Sequence, residues 1–144
     1  MIALGDVREP QSMSCITSVG MEVLRRCMSE AGCLDRKTRA SKWIRTTKRQ
    51  GETEDEYGRR VDDLSYCQRA KRSKNPRRVP EFKFYLNEGW IVSAQEAKVI
   101  GKALRRWTSK HKRAEFSWID DWKFVLEFTA FCERCGKSHG FRVQ

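Results

Sequence analysis

The spacing of apolar residues separates a weakly patterned first half of the chain from a strongly patterned second half. Residues 1–17 show no regular period, and we predict a flexible arm there. After them, Met21, Leu24 and Met28 recur at the 3.6-residue period of a helix, and Gly32 offers a stop. The sequence therefore predicts that ordered structure begins near residue 18.

Two further helix starts are marked by capping boxes. In a capping box, a Ser or Thr side chain and a Glu three residues later satisfy each other's backbone N–H groups. Thr53 and Glu56 form the first box, and Ser93 and Glu96 form the second. Each box is followed by apolar residues at helical spacing, so each predicts an amphipathic helix.

The region between and after these helices contains strand patterns. Apolar and polar residues alternate over 82–86, which predicts a strand. A turn at 87–89 and an apolar run at 90–92 complete a predicted β-hairpin. Trp and Phe residues that repeat every three or four positions predict a last helix starting near Ser117, and a last strand follows at 141–143.

These elements predict an α+β protein, with a helical N-terminal half followed by a β-β-α-α-β unit whose two helices pack on a small antiparallel sheet. A chain of 144 residues can bury about two-thirds of its unfolded surface. The Pro-containing and Arg-rich stretch at 73–80 is typical of a linker. The predicted organisation is a flexible N-terminal arm at 1–17, a helical basic region at 18–72, a linker at 73–80 and an α+β domain at 81–144.

Lys and Arg are concentrated in three stretches that contain no acid, at residues 36–49, 69–78 and 98–113. These stretches hold 20 of the 30 basic residues in a chain of net charge +11. Segregated charge attracts polyanions over a Debye length or more. This favours nucleic acid, DNA or RNA, or a ribonucleoprotein as the partner, although solvated surface without a partner is the alternative for any single stretch.

The side chains expected to contact phosphate come from all three stretches. Lys98, Lys102 and Arg105 lie on one side of the predicted helix and can follow a phosphate backbone. Binding is expected to be electrostatic, salt-dependent and weakly sequence-specific, because phosphate contacts carry no direct base information. The full predicted set is Arg36, Arg39, Lys42, Arg45, Lys48, Arg49, Arg77, Arg78, Lys98, Lys102, Arg105, Arg106, Lys110, Lys112 and Arg113.

One cluster has the spacing of metal ligands. Cys132, Cys135 and His139 could supply thiolate and imidazole ligands to zinc, and a fourth ligand would come from elsewhere in the fold. The run from Cys132 to His139 resembles the front of a retroelement zinc knuckle, with the His one residue early, and residues 51–64 resemble a helix of retroelement capsid proteins. The hairpin and paired helices do not fit that pattern, so we assign no family. The alternative interpretation places both Cys residues in the core.

No catalytic motif accompanies the basic stretches. The sequence has no glycine-rich phosphate loop, nucleophile elbow or supported Cys–His pair. Asp120 and Asp121 are adjacent, and on a helix they would point about 100° apart, which makes a poor pair for Mg²⁺. We therefore expect a binding protein without enzymatic activity, and no cofactor other than the zinc considered above.

A second function remains open from the aromatic residues. The chain could be a protein–protein interaction factor, such as a small inhibitor or assembly subunit of the phage or mobile-element type. Such a factor would dock on an acidic or nucleoprotein partner through Trp43, Trp90 and Trp118 as exposed anchors. The N-terminus lacks the apolar core of a signal peptide. We therefore expect an intracellular protein, cytoplasmic or nucleoid-associated, with no membrane partner and with reduced thiols.

Overall fold

The computed structural model describes residues 2–6, 14–42, 46–85 and 89–143. Within these ranges the protein is a mixture of helix and sheet, as the predicted α+β class requires. Two 3₁₀ turns accompany the regular elements, at Glu81–Phe84 and Arg113–Glu115. The strands are β1 (Ile2–Asp6), β2 (Ser14–Ile16), β3 (Leu34–Asp35), β4 (Val79–Pro80), β5 (Trp90–Val92) and β6 (Phe141–Val143), and the helices are α1 (Ser18–Glu30), α2 (Glu54–Arg69), α3 (Ala94–Lys110) and α4 (Trp122–Gly136).

The larger sheet joins the two ends of the described chain. Its strand order is β2-β1-β6-β5, and all three pairings are antiparallel. In the register, Leu4 pairs with Val143, and Val92 pairs with Phe141. Two of these strands lie within residues 1–17, which were predicted as a flexible arm. Strands of three to five residues are too short to show a clear period in the sequence.

Helices α3 and α4 pack closely because glycines stand at their contact. A Cβ atom added to Gly101 would lie 3.2 Å from the backbone nitrogen of Glu133, and one added to Gly136 would lie 3.1 Å from the Cα of Lys98. The core continues into α1 through Leu24 and the residues around it. The core therefore contains residues that precede and residues that follow the linker predicted at 73–80. Helix α1 belongs to the same packed unit as α3 and α4.

A second, parallel pairing of two short strands brings distant parts of the chain together. Leu34 of β3 lies opposite Val79 of β4, and all four residues of the two strands are buried or half-buried. Between β3 and β4, over residues 36–78, the chain runs outside the core. None of the described residues in this range is buried, not even within α2. We call residues 36–78 the basic excursion.

Both capping boxes are confirmed. The Thr53 hydroxyl accepts a hydrogen bond from the backbone N–H of Glu56, and the Glu56 carboxylate accepts one from Thr53. Ser93 and Glu96 make the same reciprocal pair. These boxes form as predicted because they depend only on residues within one helical turn.

Two sequence predictions need correction. Residues 81–84 form a 3₁₀ turn instead of the first strand of a hairpin, and β5 pairs with β6. Residues 86–88, which include most of the turn predicted at 87–89, lie outside the described residues. Helix α4 begins at Trp122, later than predicted, because the Asp121 carboxylate caps it by accepting from the backbone N–H of Phe124. The described residues of 36–49 form neither helix nor strand.

Candidate functional site

A basic cleft lies where the two ends of the excursion meet. Its volume is about 980 Å³. One wall comes from residues 34–39, which follow α1, and the other comes from residues 71–78, which precede β4. The parallel pairing of β3 with β4 places these walls side by side. The cationic side chains that line the cleft are Arg36, Lys37, Arg39, Lys71, Arg72, Lys74 and Arg78.

Asp35 is the single carboxylate among the described residues of this lining, and its hydrogen bonds join the two walls. Its Oδ1 accepts from the backbone N–H groups of Lys37 at 2.8 Å and Thr38 at 3.3 Å. Its Oδ2 accepts from the hydroxyls of Thr38 and of Ser73, which stands on the opposite wall. These hydrogen bonds, that from Ser73 first, lower the pKa of Asp35 below its ordinary range. The charged carboxylate is therefore the form that organises the cleft.

Four cations of the lining also bond to neutral oxygen atoms of the protein. Arg36 donates to the Ser29 hydroxyl at 2.7 Å. Arg78 donates to the carbonyl of Leu34 at 3.2 Å across the cleft. Lys71 donates to the carbonyl of Arg39 at 2.6 Å, which again joins opposite walls. Arg72 donates to the Ser93 hydroxyl at 3.1 Å, at the N-cap of α3. Because these partners are neutral, each contact fixes a cation in place without cancelling its charge.

Most of the positive charge in the cleft is unopposed. Arg36 makes an ion pair with Glu81, with Nε 3.1 Å from Oε2. No ion pair joins the side chains of Lys37, Arg39 or Lys74 to any acid in the described part of the chain. Seven cations against the single carboxylate of Asp35 leave an excess of six charges, or five if Glu81 is counted. The cleft is therefore a site of strong positive potential.

The rest of the first basic stretch lies against the acidic start of α2. Lys48 pairs with Glu54, with Nζ 2.5 Å from Oε1. Glu52 accepts from the backbone N–H of Arg49 at 2.8 Å and also pairs with Arg60 at 2.9 Å. The Arg60 hydrogen bonds are the main cause that lowers the pKa of Glu52 to about 2. The positive charge at this end of the first basic stretch is therefore partly neutralised.

The remaining predicted cations of this region differ in position. Lys42 and Arg77 are exposed and lie outside the lining of the cleft. Arg45, another predicted phosphate contact, lies outside the described residues.

The cations predicted on one side of α3, Lys98, Lys102 and Arg105, form a stripe on a convex surface that is separate from the cleft. Lys98, Lys102 and Arg106 are exposed on the helix. Arg105 is paired with Glu133 of α4, with Nη2 2.5 Å from Oε1, so the stripe loses part of its charge. Lys110 at the end of the helix and Lys112 and Arg113 beyond it are exposed, and the Arg113 guanidinium donates to the carbonyl of Asp120 at 2.8 Å.

The predicted aromatic anchors do not form an exposed set. Trp90 is only 3% exposed, and Phe82 packs against it edge-on at 4.8 Å. Trp118 is half-buried, and the Arg26 guanidinium lies 4.3 Å from its ring centroid. Trp43 lies outside the described residues. Trp90 therefore cannot act as the exposed anchor that was predicted, because its ring is part of the packed interior.

The predicted zinc ligands are not assembled around one point. Cys132 and Cys135 are buried on the inner face of α4, and His139 is exposed in the turn after it. Burial raises the pKa of the Cys132 thiol well above its usual value, which favours the protonated form, whereas zinc requires a thiolate. In the part of the chain that the structure describes, no group of three or more His, Cys, Asp or Glu side chains could hold a metal ion.

Several residues of the cleft were not predicted from the sequence. Lys37, Lys71, Arg72 and Lys74 lie within the basic stretches and could have been named from composition alone. Asp35 could not, because a lone acid at the edge of a basic stretch gives no local sign that it bridges two walls.

The comparisons with known proteins found no matching family model, no similar curated protein and no similar solved structure. None of the helices in the described ranges combines the length and the apolar character that crossing a membrane needs. The basis for a function is therefore the chemistry of the cleft itself.

Proposed function

We propose that this protein binds nucleic acid through the phosphate backbone and that the basic cleft is its main binding site. The observation that carries the proposal is the meeting of two acid-free stretches on facing walls, with seven cations and one carboxylate around about 980 Å³. Phosphate is the polyanion that such an array fits, since Arg and Lys donors bind its oxygen atoms with charge-assisted hydrogen bonds. The binding would be largely independent of sequence.

The composition of the lining supports binding rather than catalysis. Its described residues include no His, the side chain that most often acts as a general acid or base, and no Cys or Glu. The single carboxylate, Asp35, already accepts four hydrogen bonds from the two walls. Its lowered pKa makes it a weak base, so it suits a structural role and not proton transfer.

The test is fluorescence anisotropy of a labelled oligonucleotide at several salt concentrations. Phosphate neutralisation releases counterions, so the logarithm of the binding constant should fall linearly with the logarithm of salt concentration. The triple variant Lys37→Ala, Arg39→Ala, Lys74→Ala should bind at least about tenfold more weakly and give a shallower salt slope, since each phosphate contact contributes about 0.7–0.9 to the slope.

A matched control comes from α3. The triple variant Lys98→Ala, Lys102→Ala, Arg106→Ala removes the same number of charges from an exposed helix face. If the cleft is the site, this control should lose less than about threefold in affinity at physiological salt. Equal losses in both variants would show a diffuse charge effect and would overturn the cleft as the site. No binding by the unmodified protein at low salt would overturn nucleic-acid binding itself.

A further inference from the structure

We infer that the basic cleft receives single-stranded nucleic acid and not a double helix, with the sugar–phosphate backbone inside the cleft and the bases directed outward. This inference rests on the proposed function and specifies its substrate class. It comes from three features of the cleft: its size, the distribution of its cations over two walls, and the chemistry that its lining lacks.

The size of the cleft suits a single strand. Its volume of about 980 Å³ lies at the upper end of the range for small-ligand pockets. This is room for a few nucleotides of one strand. A double helix is a convex rod whose major groove alone is about 12 Å wide, so a duplex would touch only the rim of the cleft.

The cations are distributed as a single strand requires. Arg36, Lys37 and Arg39 belong to one wall, and Lys71, Arg72, Lys74 and Arg78 belong to the other. A backbone that passes between the walls meets donors on both sides of each phosphate. By contrast, Lys98, Lys102 and Arg106 of α3 form a convex row, which could contact a rod-shaped ligand from one side only.

The lining also determines which part of the strand enters. Among the described residues that line the cleft none is aromatic, so these residues offer no ring on which a base could stack. Proteins that hold bases inside a groove use such rings as stacking surfaces. A site with seven cations and no rings therefore holds the backbone and tolerates any base. We expect little preference among homopolymers.

The experiment compares a labelled 20-nucleotide single strand with a blunt 20-base-pair duplex, by anisotropy at low and at physiological salt. We expect the single strand to bind at least about tenfold more tightly at physiological salt. Strands of dT and of dA should bind within about threefold of each other. In the Lys37→Ala, Arg39→Ala, Lys74→Ala variant, the salt slope for the single strand should decrease by about 2, since each contact contributes about 0.7.

The same measurements distinguish failure of this inference from failure of the proposed function. If the duplex binds as tightly as the strand and is equally sensitive to the cleft variant, the single-strand inference is overturned and the proposed function stands. A loss that is greater in the Lys98→Ala, Lys102→Ala, Arg106→Ala variant overturns the cleft as the site, and this inference falls with it. If neither ligand binds at low salt, the proposed function fails as well. Thermal unfolding of each variant by circular dichroism ensures that only folded protein is compared.

Discussion

The ammonium group of Lys83 lies 2.8 Å and 3.0 Å from the two carboxylate oxygens of Glu96, and both side chains are buried. The same ammonium donates to the carbonyl of Ile91 at 2.7 Å. Glu96 also accepts from the backbone N–H of Ser93 at 3.0 Å. One ion pair therefore joins the 3₁₀ turn, β5 and the start of α3. Burial lowers the pKa of Lys83, and the charge of Glu96 opposes that shift.

Breaking this pair from one side should be costly. Lys83→Ala leaves the Glu96 carboxylate buried without its cation, and we expect the free energy of unfolding to fall by about 3–5 kcal/mol. The double variant Lys83→Met, Glu96→Gln removes both charges, and the Gln side chain retains an oxygen for the Ser93 N–H. It should recover most of the loss. Guanidinium unfolding of the three proteins measures both effects, and equal stability of the single and double variants would contradict the coupling.

Gly140 should be one of the least replaceable residues of the described chain. Its φ is +76°, and a Cβ added there would lie 2.0 Å from the carbonyl oxygen of Val92 in β5. We expect Gly140→Ala to lower the free energy of unfolding by about 3 kcal/mol or more, because left-handed strain of about 1–3 kcal/mol adds to displacement of the strand. Denaturant midpoints of the variant and the parent protein give this difference.

Gly58 provides the matched control for that substitution. It lies within α2, it is exposed, and no atom lies within 4 Å of an added Cβ. Since glycine inside a helix costs about 0.5–1 kcal/mol relative to Ala, Gly58→Ala should raise stability by that amount. A loss of stability at Gly58 would show that α2 packs more tightly than its exposure indicates.

Removing the basic excursion should leave a folded protein that no longer binds. Residues 37–77, which make up all but the two end residues of the excursion, include no described buried residue. We therefore expect that a linker of about ten Gly and Ser residues can replace them without loss of the fold. Shortening the closed loop roughly fourfold gains about 1.2 kcal/mol of closure entropy, at about 0.6 kcal/mol per doubling. The contacts that are lost come from residues that are exposed or half-buried. Cooperative thermal unfolding together with loss of oligonucleotide binding is the expected result. An unfolded product would show that the excursion supports the core.

Binding by the cleft should be independent of pH between about 5 and 8. The described lining of the cleft includes no His, and His is the side chain that ordinarily changes charge in this range. The pKa of Asp35 is lowered by its hydrogen bonds, so its contribution to stability is lost only as pH falls below the ordinary range of a carboxyl group. Anisotropy titrations at pH 5, 6.5 and 8 at constant ionic strength test this. An increase in affinity at pH 5 would place His111 or His139 in the interface.

Features that depend on neighbouring residues were predictable from the sequence. The boxes at Thr53 and Ser93 are complete within four residues, and both form. The buried face of α3, with Ile100, Leu104 and Trp107, follows directly from helical spacing. The Trp and Phe residues that repeat along α4 were predictable in the same way. The first residue of α4 was not, because Asp121 was interpreted only as an acid and not as an N-cap.

Features that depend on distant residues were not predictable. Alternation placed Lys83 on the solvent side of a strand, yet it is buried because Glu96 supplies its counter-charge. Likewise, the cleft depends on the pairing of Leu34 with Val79, and two-residue strands leave no pattern in the sequence. The basic stretches were evident from composition, but no local signal indicated that two of them face each other.

The exposed character of the basic excursion has a consequence for how this protein can change. Its cations lie on a segment without described buried residues, whereas the packed residues of α1, α3 and α4 lie elsewhere in the chain. Substitutions that alter the number or position of these charges therefore leave the packing of the interior intact. The charge of this surface and the folding stability can therefore vary independently, and a mutation that strengthens one need not weaken the other.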